Sequence, residues 1–143
     1  MTSPRISPDY TTASMGFVAC VLRAAGLENR IPEPQRVPVR PAGVRQRDGE
    51  VVAYGGSSLP QFEHMNGMLS TWFGEPKMKE NGVGDYLIGR SYTYKNGLSL
   101  VYMTERDSGI TMGFPKKILP ELAQKWEEAH AQQATLPSEG RGR

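Results

Sequence analysis

The apolar positions of this chain fall into two periods. From Thr12 to Ala25, Ala13, Phe17, Val21 and Ala24, joined by Val18, Leu22 and Ala25, recur at steps of three and four. That spacing predicts a helix with a face wide enough to be buried on most sides. Gly26 ends it, because glycine takes the left-handed conformation a helix end needs and lets Leu27 fold back on the last turn. A second stripe, Phe62, Met65, Leu69, Trp72 and Phe73 with Met68 beside them, predicts a helix capped by Ser58, with Pro60 in its first turn and Gly74 as its stop. A third, Ile118, Leu119, Leu122, Trp126 and Ala129, predicts a final helix with Pro120 in its first turn, fading near Gln133.

Elsewhere the pattern is that of strands. Residues 44–47 and 50–54 flank Asp48-Gly49, a pair suited to a two-residue hairpin turn, and Gly55-Gly56-Ser57-Ser58 is expected to end that hairpin. Residues 86–94, 98–104 and 109–114 are rich in β-branched and aromatic side chains and are broken by Asn96-Gly97 and Arg106-Asp107-Ser108, which predicts a three-stranded meander. A two-residue turn at Asn96-Gly97 would place Tyr92 opposite Val101 and Tyr94 opposite Ser99, with Leu98, Leu100 and Tyr102 on the other face. The expected order is α-ββ-α-βββ-α: an α+β fold with an antiparallel sheet, hairpin plus meander, packed against three helices. The order alone resembles that of small α+β chaperones for secreted bacterial proteins and of phage tail-completion proteins, a likeness that no motif residue carries.

Around these elements, residues 1–11 are read as a loose arm, 12–133 as one domain and 134–143 as a disordered tail. Pro32, Pro34, Pro38 and Pro41 predict an extended connector over residues 28–42. Residues 75–85 read as a polar, glycine-containing loop of the length often given to a binding surface.

The chain has 143 residues, one domain's worth, and with 16 Gly and 11 Pro it is interrupted too often for a coiled coil. Apolar residues make up 38% and charged residues 22%, outside the range in which charge repulsion keeps a chain unfolded. Cys20 is the single cysteine, so no internal disulfide or multi-cysteine metal cage can form and the cytoplasm is the expected compartment. The longest apolar run, residues 15–22, is too short to cross a bilayer, so no membrane partner is expected. Arginine outnumbers lysine 11 to 6, which fits a GC-rich bacterial source, with a mobile element or phage among the possible origins.

Reactive side chains are sparse. Metal catalysis needs several converging ligands, and the strong nitrogen and sulfur donors here are His64, His130 and Cys20 alone. His64 and His130 read as solvated surface histidines and Cys20 as a core thiol. Glu105, Asp107 and Asp85 are the carboxylates nearest strand ends that a hydrolytic pair could use, but nothing in the sequence brings them together, and Glu105-Arg106-Asp107-Ser108 reads as a solvated hairpin turn. No catalytic residue, metal or cofactor is assigned, and the chain leans away from being an enzyme.

The charge pattern carries more. Arg36, Arg40, Arg45 and Arg47 lie between Pro34 and Asp48 with no acidic residue among them, a local basic ribbon. Arg90, Tyr92, Tyr94 and Lys95 add guanidinium, ammonium and aromatic groups on the meander, suited to phosphates, carboxylates and stacked bases. The leading expectation is a non-enzymatic accessory module that binds another protein through the meander edge or helix surfaces. A nucleic-acid-binding protein using the ribbon is the alternative. A second alternative is an anion- or nucleotide-binding domain, in which Gly55, Gly56, Ser57 and Ser58 present amides ahead of a helix N-terminus.

Overall fold

The computed structural model describes residues 7–27, 31, 41–104 and 109–135. It contains three helices, α1 (Ser7–Ala24), α2 (Leu59–Phe73) and α3 (Leu119–Thr135), the last entered through a short 3-10 turn at Lys116–Ile118. The strands are β1 (Gly43–Arg47), β2 (Glu50–Gly56), β3 (Lys77–Val83), β4 (Tyr86–Thr93), β5 (Ser99–Met103) and β6 (Gly109–Pro115). All six form one antiparallel sheet in the order β1-β2-β6-β5-β4-β3, so the hairpin and the meander join through β2 and β6. The α+β class and the expected element types stand, with one strand more than the pattern predicted.

Local signals position α2. Ser58 Oγ accepts the Gln61 amide hydrogen, Pro60 fills the first turn, and Gly74 leaves the helix at φ +90°. Helix α1 ends as expected, with the Leu27 amide donating to the Leu22 carbonyl at 3.0 Å beyond Gly26. It begins earlier than its apolar stripe suggested. Ser7-Pro8-Asp9, read as a turn inside a loose arm, is the first turn of the helix, where proline's missing N–H costs nothing. The extended connector and the tail fall almost wholly outside the described residues.

Helix α1 lies between α2 and α3 on one side of the sheet. Phe17, Val18, Val21 and Leu22 are fully buried there, beside Phe62, Met65 and Leu69 of α2 and Leu122 and Trp126 of α3. The Trp126 indole N–H donates to the Met15 carbonyl at 2.8 Å, tying α3 to α1.

The strand register decides which side chains meet these helices. Tyr92 pairs with Leu100, not Val101, one residue away from the expected register. The cause is the loop. Lys95-Asn96-Gly97 forms a three-residue connection in which the Gly97 amide donates to Tyr94, the Tyr94 amide donates to Leu98, and Gly97 sits at φ +97°. Asn96 Oδ1 accepts the Leu98 amide hydrogen at 3.1 Å, completing the turn. A slip of one residue exchanges the faces. Tyr92 and Tyr94 therefore share the helix side with Leu98, Leu100 and Tyr102, and one row crosses that side as Val44, Ala53, Met112, Leu100, Tyr92 and Met78.

The segment read as a binding loop is mostly β3. Its sequence, KMKENGV, has little strand propensity and every residue in it is exposed. Pairing with β4 holds it in place, with a register irregularity at Asn81/Gly82.

Candidate functional site: the uncovered face of the sheet

All three helices lie on one side, and no described element covers the other. Two rows cross that open face. One runs Arg45, Val52, Gly113, Ser99, Thr93, Lys77, and the next runs Gly43, Tyr54, Thr111, Val101, Ser91, Lys79. Five interstrand spacings separate β1 from β3, about 24 Å. Cations stand at both margins, Arg45 and Arg47 on β1 and Lys77 and Lys79 on β3, and all four are exposed. Between them lies a floor of hydroxyls and short aliphatic side chains. Lys95, exposed in the β4–β5 loop, extends the basic margin at the end of the sheet that also carries Arg47.

Among the described strand residues, the one carboxylate on this face is Glu50. A Cβ added to Gly113 would sit 2.8 Å from both Glu50 Oε2 and Ser99 Oγ, so these two side chains lie across β6. Tyr54 lies over Gly43 in the same way and is 41% exposed, as is Met103 at 42%. The face is thus cationic at its margins and lightly apolar at one end.

The meander residues expected beside the arginine ribbon are placed elsewhere. Arg90 points to the helix side, where its Nε donates to Glu80 at 2.8 Å and its Nη1 to Glu63 of α2. The Glu63 hydrogen bond is the main cause holding the Arg90 pKa above its ordinary value. The Tyr92 hydroxyl donates to the same Glu63 carboxylate at 2.9 Å, and burial followed by that carboxylate pushes its pKa up. The Tyr94 hydroxyl donates to Asn66 Oδ1 at 2.6 Å under α2, and burial raises its pKa as well. Arg90, Tyr92 and Tyr94 therefore fasten the sheet to α2, while Arg45, Arg47 and Lys95 remain open. Arg36 and Arg40 lie outside the described residues.

Gly55 and Gly56 belong to β2, paired with Ile110 and Gly109, and do not form the turn expected of them. Ser58 caps α2, its Oγ taken by the Gln61 amide and its carbonyl by the Phe62 amide. Pro60 has no N–H, so Leu59 supplies the one uncommitted amide of the first helical turn. Ser57 is half-buried, its hydroxyl turned to the Ser58 carbonyl at 3.4 Å.

One polar cluster escaped the sequence. His64, expected on a solvated surface, is half-buried between α1 and α2, with Nδ1 3.0 Å from Ser14 Oγ and Nε2 3.1 Å from Thr11 Oγ1. Gln61 Nε2 donates to the fully buried Ser14 Oγ at 2.7 Å. Ser14 Oγ thus accepts from Gln61 and lies within hydrogen-bond distance of Nδ1, so the imidazole bridges the Ser14 and Thr11 hydroxyls. Burial lowers the His64 pKa. Ser14 resembles a nucleophile beside a base, but at zero exposure no substrate reaches it, and the cluster works as a latch. Partners 50 residues apart leave no local signal.

Cys20, read as core, is half-buried, and exposed His130 stacks on Trp126 at 4.7 Å. No group of three or more His, Cys, Asp or Glu among the described residues could hold a metal ion, and no described helix is long and apolar enough to cross a membrane. No protein family matches the chain, and neither does any curated protein or solved structure.

Proposed function

We propose that the chain is a non-enzymatic accessory module, bacterial and cytoplasmic, that binds an acidic protein on the uncovered face of its sheet. The observation that carries this reading is the segregation of charge. Four exposed cations on β1 and β3 border a hydroxyl-rich floor, while the Arg90 guanidinium is neutralised by Glu63 and Glu80 on the opposite side. Such an arrangement favours carboxylates over the whole width of the sheet.

A protein partner fits this face better than nucleic acid. Sheet surfaces that bind single strands stack successive bases on aromatic side chains. Tyr92, Tyr94 and Tyr102 face the helices, and the exposed aromatic rings of the described strands are Tyr54 of β2 and Tyr86 of β4, three interstrand spacings or about 14 Å apart, too far to stack successive bases.

Labelled polyglutamate and an oligothymidylate of equal length, titrated at two salt concentrations, test the reading. Polyglutamate is expected to bind with salt-sensitive affinity and to be lost by Arg45→Glu/Arg47→Glu/Lys79→Glu. The oligothymidylate is expected to bind more weakly. Tighter binding of the oligothymidylate, or polyglutamate binding that survives the triple reversal, contradicts it.

A further inference from the structure

The outer edge of β3 carries backbone groups that no described element answers. The Tyr94 N–H donates to the Leu98 carbonyl at 2.9 Å, which sets the phase of the ladder. Tyr92 and Arg90 then turn their amide and carbonyl groups toward β5, and Thr93, Ser91 and Gly89 turn theirs toward β3. Lys77, Lys79 and Asn81 answer those groups. By the same alternation, the amides and carbonyls of Met78 and Glu80 point away from the sheet.

The two sides of this edge differ in chemistry. On the open face stand the ammonium groups of Lys77 and Lys79. On the helix side Met78, 51% exposed, borders a cleft of about 440 Å³ lined by Ser70, Thr71, Pro76 and Tyr92. We propose that β3 accepts an extended segment of the acidic partner as a seventh strand, with alternate acidic side chains over the lysines and the intervening apolar side chains toward the cleft. This rests on the reading that the open face binds an acidic protein. A second copy of the chain fits poorly, because pairing β3 with itself would bring four lysines onto one face with no carboxylate among them. The irregularity at Asn81/Gly82 confines the new ladder to the first part of β3.

An alternating Glu-Val peptide of about nine residues, blocked at both ends and long enough to cover β3, is the probe, with a Glu-block/Val-block peptide of equal composition as control. The alternating peptide is expected to bind about tenfold more tightly than the block peptide, the equivalent of one or two net hydrogen bonds. N-methylation of its Val amides, which face β3 in an antiparallel strand, should weaken it by a similar factor, and N-methylation of its Glu amides should not. Met78→Pro should lose more affinity than Met78→Ala, because only proline removes the outward N–H. If both peptides bind alike, both methylated forms bind like the parent, and Arg45→Glu still weakens all of them, the added strand is overturned and the acidic-partner reading stands. If neither peptide binds, both fail.

Discussion

On the helix side of the sheet a side chain meets packed neighbours, whereas one residue further along the same strand it meets open space. Leu100 of β5 is fully buried, and its neighbour Val101 lies on the face no described element covers. Tyr92 of β4 is stacked on Phe62 of α2 with ring centroids 5.6 Å apart, and its neighbour Ser91 shares a row with Lys79. The same strands thus serve stability on one face and, in our reading, recognition on the other. Charge is divided likewise: Arg90 is spent on internal contacts with Glu63 and Glu80, and Arg45 and Arg47 are left for an external carboxylate.

The largest test of this contrast is truncation on each side. Phe62→Ala removes a fully buried ring that also lies 5.2 Å from Tyr102, and is expected to cost about 3–5 kcal/mol in urea unfolding. Val101→Ala on the open face should cost less than about 1 kcal/mol. Similar losses for the two would contradict the assignment of faces.

A smaller effect probes the loop that sets the register. Gly97→Ala places a Cβ at φ +97° and 3.0 Å from Pro115 Cγ, so about 1–2 kcal/mol of stability should be lost. A neutral outcome would mean the loop relaxes without cost and does not enforce the register.

The smallest concerns the latch between α1 and α2. Burial holds the His64 pKa below its ordinary 6.5, so the unfolded chain takes up this proton before the folded one does. Stability is therefore expected to fall as pH drops through 6.5 and to level off once the folded-state imidazole also charges. Urea midpoints across this window should slope in the native chain and lose that component in His64→Gln. An identical slope in the variant would assign the effect to other groups.

How much of this could be read beforehand varied with the range of the signal. Helix α2 was legible to its caps because Ser58, Pro60 and Gly74 act within a turn, and the first hairpin was legible in Asp48-Gly49. Strand β3 was not, since KMKENGV owes its conformation to β4. The most consequential miss was one residue long. Asn96-Gly97 looks like a two-residue turn, yet Asn96 serves inside a three-residue one, and that slip moves Tyr92 and Tyr94 from the expected contact surface to beneath α2. The basic ribbon survived the correction in Arg45 and Arg47, because β1 sits at the sheet margin with both side chains on the open face.

Residue-resolved hydrogen exchange of the full chain, with and without saturating alternating Glu-Val peptide, bears most directly on the claim that the uncovered face and its β3 edge receive an acidic partner. The account predicts slowed exchange at the Met78 and Glu80 amides on peptide addition, with α1, α2 and α3 unchanged. Slowing confined to the helices, with Met78 and Glu80 exchanging as before, would contradict it.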